Sequence, residues 1–213
     1  MLYDAWAYIL KNPNVFQNAL GTHLELSITA LFVGALIALP LGVALARRPR
    51  AALVIINFAS TLRTVPSLAV LAIMLPILGT GFLPCVIALT IYAIPPILIN
   101  AYTGIRQVDP DIIDAATGMG MTRLQIVRKI ELPMAVPVIF AGIRTAAVQV
   151  VAGATLAAFI GGGGLGDFIT AGIAIMDSSR LLVGAIPVAL LAIATELLFG
   201  WMQRALTSSG MRA

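Results

Sequence analysis

Apolar tracts about as long as a bilayer is thick follow one another along this chain, and that repetition limits its fold more than any motif does. A spanning helix needs about 20 mostly apolar residues. Five tracts qualify, at 24–46, 51–78, 82–104, 133–160 and 181–202. Hydrocarbon offers no water to unpaired backbone N–H and C=O groups, so tracts of this length must satisfy them internally as helices. The expected architecture is an all-α, polytopic bundle of five transmembrane helices, one domain over residues 1–213. Composition agrees, with 60% hydrophobic and only 10% charged residues where a soluble domain carries about 25% charged. One cleaved signal peptide or one anchor helix does not account for so many tracts. The second is interrupted by "STLRTVPS", so its first part reads as interfacial and its crossing as beginning near Pro66.

Lysine and arginine set the orientation, because short loops rich in them stay in the cytoplasm. With the N-terminus outside, the inner segments hold Arg47, Arg48, Arg50, Arg106, Arg123, Arg128, Lys129, Arg204 and Arg212. The outer segments then hold only Lys11 and Arg180. The expectation is a multi-pass protein of the cell membrane, N-terminus out and C-terminus cytoplasmic. Residues 1–22 form an outer N-terminal segment, 106–132 a cytoplasmic loop and 161–180 an outer loop. The net charge of +4 is thus placed by topology and implies no nucleic-acid partner.

Several chemistries are excluded or weakened. Cys85 is the single cysteine, so neither an internal disulfide nor a thiolate metal site is expected. Asp167 and Asp177 have no histidine or second acid placed for acid–base or metal work, so no catalytic residue is assigned. The run "FIGGGGLGDFI" places Gly161, Gly163 and Gly166 in the order G-x-G-x-x-G, yet no preceding strand, following lysine or ribose-binding acid completes a nucleotide fingerprint. Gly161, Gly162, Gly163, Gly164 and Gly166 instead allow a sharp reversal on the outer face. Asp167 is expected to cap a short helix that dips back inward, forming an outer gate hinged at the glycines. A loose loop is the alternative.

The longest polar segment, "RQVDPDIIDAATGMGMTRLQIVRKIELP", carries the sharpest pattern. Asp109 or Asp111 can cap a helix with Pro110 in its first turn. "TGMGMT" breaks that helix, and "RLQIVRKI" resumes it. Asp114, Ala115 and Ala116 are followed after three residues by Gly120, and after nine more by Ile130, Glu131, Leu132 and Pro133. This resembles the "EAA" loop of permease subunits of bacterial ABC importers, with aspartate at position 114 in place of the usual glutamate. From about Leu20 onward, phrases such as "LRTVPSLAVLAIMLPILGTG", "AYTGIR", "VIFAGIRTA" and "ATLAAFIGGGGLGD" resemble the osmoprotectant branch, importers of glycine betaine, choline, carnitine and related quaternary amines.

The resemblance implies a type I ABC importer permease fold and a coupling role for Asp114, Ala115, Ala116, Gly120, Ile130, Leu132 and Pro133 on an ATPase subunit. Pro133 would start the next membrane helix at a fixed angle. It implies as partners two ABC ATPase subunits, a second permease copy or homologue and an extracytoplasmic substrate-binding protein. ATP and Mg would belong to the ATPase, since no G-x-x-x-x-G-K-[ST] sequence occurs here, and this chain would carry no cofactor and no metal. A methionine or other amino-acid permease of the same architecture is the alternative within transport. A channel or membrane scaffold uncoupled from ATP is the alternative from another class.

Inside the membrane, Arg144 needs water or a partner, since arginine at a helix centre costs about 2.5–3.5 kcal/mol on insertion scales. Glu196 matches it in depth, as a pathway contact or a structural pair. Pro95 and Pro96 leave carbonyls without donors, which a water-lined pathway would satisfy, and Tyr92 lies one turn before them. Trp6 and Trp201 read as interfacial anchors. His23 reads as an interfacial polar residue at the outer start of the first span.

Overall fold

A computed structural model describes residues 1–206. Its elements are α1 (Leu2–Lys11), α2 (Pro13–Leu45), α3 (Pro49–Leu62), α4 (Ser67–Leu78), α5 (Phe82–Arg106), α6 (Pro110–Gly118), α7 (Arg123–Ile126), α8 (Leu132–Gly153), α9 (Gly166–Ala174) and α10 (Ser178–Leu206). A π turn, Val127–Glu131, joins α7 to α8, and a 3₁₀ segment, Ala154–Ile160, continues α8. No strand occurs among the described residues.

Helix α5 is the centre, with α2 against one side of it and α8 against another. Small residues make these approaches possible. On α2, Ala30, Gly34, Ala38 and Gly42 recur every fourth residue and are all buried, which lets backbones close to contact where lipid supplies no hydrophobic drive. A Cβ at Gly42 would lie 2.6 Å from the Cβ of Ala101 on α5. On α8, a Cβ at Gly142 would lie 2.5 Å from the Asn100 Cβ and 2.7 Å from the Pro96 carbonyl oxygen. The interior this creates includes Leu26, Leu71, Leu89, Ile97, Leu98 and Val150.

Four helical segments are long and apolar enough to cross a bilayer: Pro13–Leu45, Phe82–Arg106, Arg123–Ile160 and Ser178–Leu206. The expected second crossing is broken, α3 and α4 meeting at 95°. At a 1.5 Å rise per residue the 12 residues of α4 reach only about 18 Å, so α4 does not span alone. The break falls at Arg63–Pro66, inside the interrupting sequence, because proline disfavours helix in the residue before it. Arg63 is exposed at the C-terminal end of α3.

One boundary departs from expectation. The first span starts at Pro13, eleven residues ahead of the apolar tract at 24, because Pro13 sits in the first turn, where its fixed φ suits a helix start. The N-terminal segment is thus helical on both sides of a break at Asn12, with α1 folded back onto α9 and α10. Tyr8 meets Phe168 edge-on at 6.0 Å, and the Arg180 guanidinium lies 5.8 Å from the centroid of the Tyr8 ring. Trp6 and Trp201 are both more than 60% exposed, as lipid-facing anchors would be. Arg212 lies outside the described residues.

Candidate functional site

The 106–132 segment folds as a helix, a turn and a second helix. Asp109 caps α6, its carboxylate accepting from the Asp111 N–H at 2.9 Å, and Pro110 occupies the first turn. The chain reverses at Gly120, whose φ of +81° is strained for any residue with a Cβ. Thr122 then caps α7 in a reciprocal box with Gln125: the Thr122 N–H donates to the Gln125 amide oxygen at 2.7 Å, and the Gln125 N–H to the Thr122 hydroxyl at 3.4 Å. The signature was readable as T-x-x-Q and is absent from the expectations above.

Asp114, Ala115 and Gly120 are exposed, whereas Ala116 is buried at 1%. Met119 and Leu124 stand out from the same face of the segment at 75% and 58% exposure. The segment therefore presents small and apolar groups outward on a rigidly capped turn while anchoring itself by Ala116 and Ile126. Ile130 and Leu132 are half-buried.

Pro133 lies in the first turn of α8, which the π turn joins to α7. The helix runs from Arg123 to Ile160 without a break. The Leu132 N–H donates five residues back, to the Val127 carbonyl. A regular α-turn would drive the proline ring into the carbonyl four residues earlier, and widening the turn to π relieves that clash. Glu131, an unassigned position inside the I-x-L-P run, points inward and accepts from the Arg47 guanidinium at 2.5 Å. Arg47 was counted only as a loop charge, and its partner lies 84 residues away.

The glycine run follows the 3₁₀ segment, with no strand before it. Gly161, Gly163 and Gly164 have φ of +71°, +76° and +92°. A Cβ at Gly162 would fall 2.3 Å from Cys85 Sγ, and one at Gly166 2.0 Å from the Thr155 carbonyl oxygen. The Gly81 N–H donates to the Ile160 carbonyl at 2.9 Å, tying the turn to the start of α5. The turn is thus packed closely against its neighbours. Asp167 does not cap α9: Leu165 holds the cap position and no side chain bonds there. Asp167 sits in the first turn, and desolvation raises its carboxyl above the ordinary carboxylate range.

His23 is fully buried beneath that turn, which corrects its interfacial reading. Its Nε2 lies 3.0 Å from the Val151 carbonyl oxygen at the end of α8, and its Nδ1 has no protein partner. Gly164 leaves room for it, since a Cβ there would touch the imidazole at 3.4 Å.

Within the membrane, Arg144 and Glu196 form an ion pair between α8 and α10. Gly200 makes room for the guanidinium, which also reaches Gln203 Oε1 at 3.5 Å. The Gln203 amide in turn donates to the Pro137 carbonyl at 3.0 Å. Pro95 and Pro96 are themselves fully buried between packed helices, while Ile91 and Tyr92, whose carbonyls lose their donors to the prolines, are half-buried. The Asn100 side-chain amide donates to the Pro96 carbonyl at 2.8 Å. Tyr92 is half-buried and does not join Arg144 and Glu196.

Residues 23–208 match the family of binding-protein-dependent transport system inner membrane components. The chain belongs to this family. It is thus an inner-membrane transport permease, and its similarity to curated relatives extends over nearly their full length. It is 45% identical to the choline transport system permease protein OpuBB of Bacillus subtilis, covering 89% of this chain and 88% of that one. It is 47% identical to the carnitine transport permease protein OpuCB of Listeria monocytogenes over 89% and 87% of the two. The osmoprotectant import permease protein OsmW of Salmonella typhimurium is 37% identical over 98% of this chain and all of that one. Among solved structures, the permease resembles a chain of the inward-facing MetNI methionine ABC transporter, with TM-score 0.81, 23% identity and 91% and 97% coverage. That likeness gives the type I ABC permease fold.

Proposed function

We propose that this permease forms the translocation pathway of an ATP-driven importer for quaternary amines of the glycine betaine, choline and carnitine type. The reading is carried by one observation. The Asp114-to-Pro133 pattern is displayed as an exposed, doubly capped helical turn continuous with α8. Ala115, Met119 and Leu124 offer a groove-sized apolar face to an ATPase subunit, and ATP with Mg acts there and not on this chain. Movement of α6 and α7 passes to α5 and α8, because each joins the turn directly. The substrate class rests on the 45% and 47% identity to permeases named for choline and carnitine. The methionine alternative draws only on a 23% identical structure, which speaks to fold.

The remaining assignments follow from this arrangement. The N-terminus faces outward, so α6 and α7 meet the cytoplasm and the Gly161–Asp167 turn meets an extracytoplasmic binding protein as an outer gate. In the isolated chain the Arg144 and Glu196 side chains are 36% and 44% exposed, and an ion pair at such depth requires protein or water over it. A second permease copy or a homologue supplies that cover. Expression of the chain with its ATPase and binding protein in cells lacking osmoprotectant uptake should restore import of radiolabelled choline, glycine betaine or carnitine. Import of methionine alone would overturn the substrate assignment.

A further inference from the structure

The Arg47–Glu131 pair joins the turn after α2 to the π turn that precedes α8. Arg47 follows the C-terminal end of α2, and Glu131 closes the π turn between α7 and α8. Between these elements the packing is open. A cleft of about 650 Å³, bordered by Arg47, Arg106, Asp114, Arg123 and Glu131, lies on one side. A groove of about 480 Å³, bordered by Pro40, Val43, Arg47, Val127 and Leu132, lies on the other. The ion pair crosses the gap at 2.5 Å, with only 25% of the arginine and 11% of the glutamate side chain exposed. No other side-chain hydrogen bond among the described residues links α2 or the turn after it to residues 106–132.

We propose that Arg47 and Glu131 are positioning residues that act as a strut, carrying movement of the coupling turn to α2. Helices α5 and α8 receive that movement through the backbone. Helix α2 has no such backbone continuity with the turn: it packs on α5 and α8, and this contact is its direct side-chain link to the turn. The π turn places the carboxylate, since an α-turn in the same place would carry Glu131 to a different azimuth on the helix. Only 11% of the glutamate side chain is exposed, so removing Arg47 leaves a largely covered charge without its partner and costs more than the contact itself. The inference rests on the coupling role proposed above.

The test uses the assembled transporter, with its ATPase and binding protein, in proteoliposomes. Arg47→Gln and Glu131→Gln should each lower the amine transported per ATP hydrolysed on the order of fivefold or more, as loss of a coupling energy of about 1 kcal/mol or more would. The exchanged pair R47E/E131R should recover most of that ratio. In parallel, spin labels at T117C on α6 and L36C on α2 should keep one narrow distance distribution when nucleotide binds, and broaden in Glu131→Gln. An unchanged ratio and an unbroadened distribution in the single variants would overturn the strut, as would an exchanged pair no better than the singles. If a single variant fails to assemble, the exchanged pair must assemble, and its failure too counts against the proposal. A wild-type complex that moves no quaternary amine would refute the substrate assignment, while the label distances still judge the strut.

Discussion

Gly162 and Gly120 are both glycines in turns, yet the chain needs glycine at each for a different reason. At Gly162 the reason is space: a Cβ would overlap Cys85 Sγ at 2.3 Å and the Ala157 Cβ at 2.9 Å. Overpacking a fitted site costs about 1–3 kcal/mol, so Gly162→Ala should lower the melting temperature of the detergent-purified protein by roughly 2–10 °C. Cys85→Ala in the same chain should return part of the loss, because the sulfur is the nearer obstacle. A double variant no more stable than Gly162→Ala would show that the clash lies elsewhere. At Gly120 the reason is conformation, with φ of +81° and nothing within 4 Å of a built Cβ. Left-handed backbone costs about 1–2 kcal/mol for most residues, and asparagine tolerates it best. Gly120→Val should therefore reduce transport per ATP while Gly120→Asn largely preserves it. Equal transport ratios for the two variants would remove the backbone explanation.

At the scale of elements, the coupling turn depends on its caps more than on helix length, because α7 has only four residues. Removing a Thr N-cap costs about 0.5–2 kcal/mol. Thr122→Val should accordingly speed amide hydrogen exchange in residues 123–126 while leaving α6, capped separately by Asp109, at its original rate. Equal acceleration in both helices would mean that the turn unfolds as one unit. What was legible in the sequence at this scale follows from what is local. Hydropathy located the crossings, and "DPD" and "GMG" marked the start of α6 and the reversal, because each depends on neighbours within one turn. The Thr122–Gln125 box was equally local and could have been read. Burial of His23, closure of the glycine turn onto Cys85 and the Arg47–Glu131 contact were not legible, since each depends on residues brought together across 72 to 128 positions. The Arg144–Glu196 contact was accessible despite its separation because insertion depth restricts which residues can meet. The place of Pro133 in the first turn of α8 was legible from proline's fixed φ, whereas the π turn ahead of it was not.

For the whole molecule, the bundle joins a tightly packed half to an open one. Small residues fasten α2 and α8 to α5, so those three helices respond together where the coupling turn moves. Helix α10 is lightly covered, with Leu190, Ile193, Leu197, Leu198 and Trp201 exposed, as expected of a surface turned to lipid or to a second permease. One chain contains half of the pathway on this account, and the energy and the substrate both arrive on other polypeptides. The most direct test is ATP-dependent uptake into proteoliposomes holding this permease, its ATPase and its binding protein. The account predicts that radiolabelled choline, glycine betaine or carnitine accumulates only when ATP and the binding protein are both present, and that Gly120→Val hydrolyses ATP with little accumulation. Accumulation without ATP, or uptake of methionine in place of the quaternary amines, would contradict it.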